Sequence, residues 1–482
     1  MSQTLARLLV FATAAAVLVL EILAGRLLAP YLGVSLEVFT GIIGVVLAGI
    51  SVGAWLGGRA ADRRDPVGLV GPLLVAGGLS ALAAPLLVDL VGPAADSGPL
   101  GIVALTTVAF FLPAALLSAV SPVVVKIRLG SLEETGSVVG SFSAIGTAGA
   151  IFGTFVTGFV LIAAFPTRPI VLGVGVALTL GGLAIWIGRS AWASVGALTL
   201  AAVQGIALLA GGGPCDYETT YHCAQVEIDQ ARPSGRLLIL DRGHNSYVDL
   251  ADPTHLEFRY LQAIVDVVDV ESPPGLIDVV AIGGGGFTLP RYLDTTRPGS
   301  VQTVLEIDSK LVDIGRADLG FEDEAVVVID DARRSLQSVE IGSLDLVVGD
   351  AFSGLSVPWH LTTVEFVAEI AARLRPDGIY TVNVIDYDEA TFARSATATL
   401  DEVFGYVVVM APPGYFHGGE GGNYVLVGSN RPLDVAAIES KIASRAGSEV
   451  VVTGDDLTRF IDGASPLVDG FAPVDQMIDW RY

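Results

Sequence analysis

Asp278-Val279-Val280-Ala281-Ile282-Gly283-Gly284-Gly285-Gly286 is a short, largely apolar run that stops abruptly at four glycines. A run of that length suits a strand buried on both faces of a parallel sheet. The glycines permit a tight turn and let the backbone approach a ligand closely. Downstream the pattern repeats. Apolar runs at 303–307, 325–329, 344–349 and 379–385 read as further strands, with later ones at 405–410 and 423–428. Residues 254–269 and 362–374 have helical spacing, and Pro376-Asp377-Gly378 ends the second. Residues 236–250 are strand-rich. Strands alternating with helices at this spacing predict an α/β doubly wound sheet, which binds ligands beyond the carboxyl ends of its strands.

The residues able to do chemistry stand at those ends. Gly283 to Gly286 close the first strand, Glu306 and Asp308 the second, Asp330 and Asp331 the third, and Asp350 the fourth. An acid about 20 residues past the glycine turn typically holds ribose hydroxyls. Each acid taken singly could instead cap a helix or a turn. The glycines lack the dinucleotide spacing, and no phosphate-binding lysine loop is present, which argues against nucleoside triphosphate use. The histidines show no metal-ligand spacing.

Upstream the chain changes character. Residues 1–211 hold seven apolar runs, near 5–28, 37–58, 67–91, 99–121, 138–164, 169–187 and 191–211. A bilayer span needs about 20 such residues. The expected organisation is therefore a multi-pass α-helical membrane domain over 1–211, with the lipid bilayer as a partner, followed by a water-soluble domain over 212–482. The series Gly146, Gly149, Gly153, Gly158 predicts a close-packed helix face. Glu21 and Arg26 are charges in or near the first run, expected to pair with each other or to form a polar site with Glu37. Arg7, Arg59, Arg63, Arg64, Lys126, Arg128 and Arg189 fall on one side if all seven runs cross, against Arg26 and Arg168 on the other. The positive-inside rule then puts the N-terminus in the cytoplasm and residues 212–482 outside it. The segment Gly57 to Arg64 resembles a cytoplasmic loop of major-facilitator transporters and agrees in orientation. Cys215 and Cys223, the only two cysteines, have seven residues between them and suggest a disulfide in an oxidising compartment, with free thiols or a metal pair with His222 as the alternatives.

Acidic residues number 51 against 27 basic ones, and most lie in the second half. No basic footprint for nucleic acid exists.

The stretch from about 236 to 430 resembles the spermidine synthases, or polyamine aminopropyltransferases, which share the Rossmann-like S-adenosylmethionine methyltransferase fold. The whole chain looks like the membrane-fused spermidine synthase-like proteins of prokaryotes. Gly349-Asp350-Ala351-Phe352-Ser353 and Val357-Pro358-Trp359-His360-Leu361-Thr362-Thr363 carry that likeness. The resemblance implies aminopropyl transfer from decarboxylated S-adenosylmethionine to an amine, with no prosthetic group. It implies that Gly283, Gly284 and Gly285 pass under the nucleoside, that Glu306 holds the ribose and that Asp331 meets the adenine amino group. Asp350 is then the base, with Tyr260 and Tyr415 as active-site tyrosines. Asn245 stands loosely where the family has a glutamine near the thioether. Two positions depart. Gly286 replaces an aspartate that binds the donor's amine, and Ser353 replaces one that holds the acceptor. Gly286 thus also suits a methyltransferase using S-adenosylmethionine itself on a membrane-derived substrate. A non-enzymatic polyamine- or nucleoside-binding transporter or sensor is the third expectation. A sulfonium donor made in the cytoplasm would favour a cytoplasmic domain, which a re-entrant run at 99–121 around Pro113 would provide. A homodimer is compatible with all three.

Overall fold

The computed structural model describes residues 1–96, 98–186, 191–272, 275–352 and 357–478. The chain divides into two compact units, Met1–Ala224 and Gln225–Tyr482.

Among the described residues of the first unit six helices are long and apolar enough to cross a membrane: Gln3–Leu32, Leu36–Arg63, Pro66–Ala94, Pro99–Arg128, Leu132–Ala164 and Thr167–Trp186. The seventh run is helical too, over Ala191–Ala210, but its described apolar part, Ser194–Ala210, is shorter than the others. The fourth run is continuous rather than broken at Pro113. The missing N–H of Pro113 is accommodated because the turn before it, Thr107–Phe111, widens into a π-helix. Gly149 and Gly153 lie against the first helix, where a Cβ would collide with the Phe11 and Ala15 carbonyls, whereas Gly158 faces open space. The small-residue face is thus real over its first part.

Arg26 does not pair with Glu21. Five residues along a helix turn a side chain by about 140°, onto another face. Arg26 instead donates to the carbonyls of Thr219 and Thr220 and to Thr167 Oγ1. Arg168 holds both oxygens of Asp89 at 2.7 and 2.6 Å. The Cys215–Cys223 disulfide is formed, with Cα atoms 5.2 Å apart. It straps the short pairing of β1 (Tyr217–Glu218) with the start of β2 (Cys223–Ile228). Strand β2 runs on into the second unit.

There β3 (Gly235–Leu240) and β4 (Gly243–Asp249) complete a small antiparallel sheet in the order β1-β2-β3-β4. The helix Arg259–Glu271 leads into the main sheet, built from β5 (Asp278–Ile282), β6 (Val301–Glu306), β7 (Val326–Ile329), β8 (Leu344–Gly349), β9 (Leu374–Asp386), β10 (Tyr406–Ala411), β11 (Gly422–Ser429) and β12 (Val450–Val452). Its order is β12-β10-β11-β9-β8-β5-β6-β7. Strands β5 to β9 pair in parallel and β9 to β12 antiparallel. The order reverses between β5 and β8, so a crevice opens at their carboxyl ends. Val279, Val280, Leu346 and Val347 are buried because helices cover both faces at the sheet centre.

Candidate active site

The turn that closes β5 is built for close approach. Gly283 has φ +96°, and a Cβ there would collide with the Asp350 carbonyl oxygen. Its N–H donates to the Leu305 carbonyl at 2.9 Å, while the Asp350 N–H donates to Ile282 at 2.8 Å. The ends of β5, β6 and β8 are thereby laced together around one point. A small cleft of about 30 Å³ opens there, lined by Ser246, Glu257, Tyr260, Gly283, Gly284 and Asp350 among others.

Asp350 is the centre of this cleft. Its Oδ2 accepts from Tyr260 Oη at 2.9 Å, and its Oδ1 accepts from Asn383 Nδ2 at 2.9 Å. Burial pushes its carboxyl up to about 6, although both donors pull it down. Burial, with the Asp350 charge and hydrogen bond behind it, raises the Tyr260 hydroxyl well above its usual value. Tyr260 therefore stays protonated and remains a donor. The pair behaves as a desolvated carboxylate held from both oxygens, able to accept a proton near neutral pH.

Glu306 lies beside it. One of its oxygens accepts from the Gly284 N–H at 2.7 Å and the other from the Asp308 N–H at 2.8 Å. The glycine turn and the acid at the end of β6 are thus directly bonded. Asp308 caps the helix Ser309–Asp318 through the Lys310 N–H at 3.0 Å, a structural part. Asp331 combines two parts. It caps Ala332–Leu336 through the Arg334 N–H at 3.1 Å, and its other oxygen meets His360 Nε2 at 2.8 Å. Burial works against its charge, but the Arg334 N–H and His360 hold it below the usual carboxylate range.

Asn245 and Ser246 reach the glycine turn from β4. A Cβ on Gly285 would sit 2.6 Å from Ser246 Oγ and 3.1 Å from Asn245 Oδ1. The Gly286 N–H donates to Ser246 Oγ at 2.9 Å, and a Cβ on Gly286 would meet the Ser246 Cβ at 2.8 Å. No side chain fits at 286 while Ser246 stands there. Tyr415 is outside the cleft lining, in the turn Pro413–Phe416, where its ring packs 5.5 Å from that of Tyr424. Ser353 lies outside the described residues.

Sequence reasoning missed Asn383, Ser246 and Glu257. Only Asn383 left a signal, as a polar residue inside the apolar run Val382-Asn383-Val384-Ile385, and it is 1 % exposed. Glu257 and Ser246 reach the cleft only because separate segments fold onto the β5 turn.

No family model matches the chain. Curated relatives exist. A polyamine aminopropyltransferase of Chromobacterium violaceum is 26% identical over 161 residues, 33% of this chain and 61% of the relative. One from Neisseria meningitidis is 27% identical over 141 residues, covering 29% and 53%. Polyamine aminopropyltransferase 1 of Aquifex aeolicus is 27% identical over 163 residues, covering 32% and 55%. The chain thus spans roughly half to three-fifths of the length of these relatives. Among solved structures, a probable spermidine synthase from Corynebacterium glutamicum is similar at 28% identity and a TM-score of 0.49, covering 53% of this chain and 96% of that one.

Proposed function

The chain is spermidine synthase-like, and from that premise we propose that its α/β half transfers an aminopropyl group from decarboxylated S-adenosylmethionine to an amine. The observation that carries this is the buried Asp350 carboxylate, held by Tyr260 under the Gly283–Gly284 turn. In the step, the amine nitrogen attacks the aminopropyl carbon next to the sulfonium. A C–N bond forms as the C–S bond breaks, and its electron pair stays on sulfur. The products are the aminopropylated amine and neutral methylthioadenosine. The nitrogen's surplus proton passes to Asp350, so no acid is needed for the leaving thioether. Tyr260 fixes the carboxylate oxygen that receives the proton, and positioning supplies much of the rate. Gly283, Gly284 and Gly285 take the nucleoside, and Glu306 its ribose hydroxyls by exchanging the Gly284 N–H for the ligand. Asp331 meets the adenine amine once His360 yields. Asn245 stands near the thioether, and Tyr415 and Ser353 belong to the acceptor side.

One observation favours a second assignment, methyl transfer from S-adenosylmethionine itself. Ser246 fills the space over Gly286, so the turn has no anion there to repel a donor carboxylate. Product analysis separates the two. Purified protein is given both donors and a set of amines, alongside Asp350→Asn. Methylthioadenosine that vanishes in the variant supports the first; S-adenosylhomocysteine moves the assignment to the second. The absence of both products with every amine rejects both and leaves a binding role.

We propose that the α/β half is extracytoplasmic if the shorter seventh helix crosses the bilayer with the other six, a reading supported by the lysine and arginine pattern and the Cys215–Cys223 bond. A phosphatase fused after Tyr482 tests this. Activity expected outside the cytoplasm, but absent there and present inside, reverses the assignment.

A further inference from the structure

A row of side-chain hydrogen bonds crosses three strand ends and stops on Asp350. Asn423 Nδ2, from β11, donates to Asn383 Oδ1, on β9, at 2.9 Å. Asn383 Nδ2 donates to Asp350 Oδ1, past β8, at 2.9 Å. Asn383 is fully buried, while Asn423 is half-buried.

We propose that Asn423 and Asn383 are positioning residues of the transferase site, with Asn423 fixing the Asn383 amide so that its N–H, and not its C=O, faces Asp350. This rests on the assignment of Asp350 as the base. The two ends of an amide have almost the same shape and opposite hydrogen-bonding character. Packing alone therefore does not choose between them. The Asp350 carboxylate, which only accepts, draws the Asn383 N–H, and Asn423 holds that orientation by donating to the carbonyl at the other end. With Asn423 donating, the Asn383 carbonyl is taken and its N–H must point at Asp350. Turned the other way, a carbonyl oxygen would face a carboxylate oxygen with no proton between them. Asp350 would then keep its proton and lose the ability to accept one.

The other groups around Asp350 do not make this choice. Tyr260 holds the opposite carboxylate oxygen. Glu257 lies on the cleft wall, where His255 Nε2 is 3.1 Å away. Glu306 is bound by the Gly284 and Asp308 N–H groups. Asp386, at the end of β9, accepts from the Tyr387 and Ala393 N–H groups. Among the described residues none of these is ion-paired with Asp350.

The experiment titrates the Asp350 carboxyl directly, by infrared difference against Asp350→Asn, in the full chain and in Asn383→Leu, Asn423→Ala and Asn423→Asp. The pH profile of kcat/KM is recorded beside it. Losing a donor to the charged form should move the Asp350 titration upward by about one pH unit in Asn383→Leu. Asn423→Ala releases the amide and should give a smaller rise. Asn423→Asp should give a larger rise than Asn423→Ala, because a carboxylate only accepts and draws the Asn383 N–H away from Asp350. A space-filling role predicts instead that the uncharged, similarly sized Asn423→Leu, added to the series, titrates like the parent, whereas the relay predicts a rise like that of Asn423→Ala. An unmoved titration in Asn383→Leu, or an Asn423→Asp protein that titrates like the parent, overturns the proposal. Asn423 is half-buried, so its variants decide the matter if Asn383→Leu misfolds. The infrared reading needs no turnover. Shifts in the stated order in a chain inactive with every amine would support the relay and reject the transferase assignment; an active chain with unmoved titrations would do the opposite.

Discussion

Removing the Tyr260 hydroxyl isolates the electrostatics of the site. In Tyr260→Phe the ring is kept and one 2.9 Å donor to Asp350 Oδ2 is lost. Asp350 already titrates at about 6 because burial outweighs two donors. A hydrogen bond to a charged group is worth about 1.5–3 kcal/mol, or one to two pH units if nothing replaces it. The cleft of about 30 Å³ has room for about two waters, which recover part of that. A rise of about one unit, to about 7, is the working figure. The sign follows from which form the bond favours: it stabilises the carboxylate, so its loss raises proton affinity. Activity that needs the carboxylate is lost as pH falls through the Asp350 titration. Its acid limb should therefore move to higher pH. At pH 6 the ionised fraction falls about fivefold, whereas at pH 8 it falls by only about a tenth. The assay is kcat/KM against pH for methylthioadenosine release, in the parent and in Tyr260→Phe. An acid limb that stays in place, or moves down, refutes the reasoning. An equal loss at every pH would show instead that the hydroxyl orients the amine.

Four further outcomes are expected. Gly283→Ala should abolish turnover and lower the melting temperature of the α/β unit, since its φ of +96° costs a side chain about 1–2 kcal/mol before the collision with Asp350 is counted; an unchanged melt sinks this. Arg168→Leu leaves Asp89 without the guanidinium that holds both its oxygens, and should cost about 3 kcal/mol or less given its partial exposure, with recovery in the Arg168→Leu/Asp89→Leu pair, read as melting in detergent. The cysteines should resist maleimide labelling in membranes until reductant is added, and replacing both by Ser should cost about 2–3 kcal/mol from the short loop they close; labelling without reductant would contradict the bond. Asp350 and Asp386 are both pushed up to about 6 by burial, so their contribution to stability is greatest below the ordinary carboxylate value and is lost as pH rises through about 6. Melting of the α/β unit should rise by a few degrees between pH 7 and 5.5, at about 1 kcal/mol per group, and a flat or falling profile speaks against both shifts.

What the sequence made legible follows its periodicity. The helices of the first unit and the strands β5 to β9 are each a local pattern, apolar over a bilayer's depth or apolar over a strand's length, and each formed where that pattern placed it. Residues at strand ends were legible for the same reason: Gly283, Glu306 and Asp350 meet because β5, β6 and β8 are adjacent, and adjacency in a doubly wound sheet follows from element order. What sequence distance misjudged was which polar side chains meet. Glu21 and Arg26 are near in sequence but a third of a turn and more apart around the helix, so Arg26 serves the segment near Thr219 instead. Ser246 is 40 residues from Gly286, yet it decides what that glycine can be. The Asn423 to Asn383 bond spans another 40 positions and depends on the antiparallel pairing of β9 with β11, a turn-back that apolar runs do not reveal. The recognisable carboxylate was therefore the easy part of the site. Its proton affinity is set by burial and by the donors that the fold brings in from β9 and the helix before β5. Copying Asp350 and the glycine turn into another doubly wound sheet should accordingly give a site that binds but does not transfer. Its carboxylate would lack the donors that let it stay charged while buried.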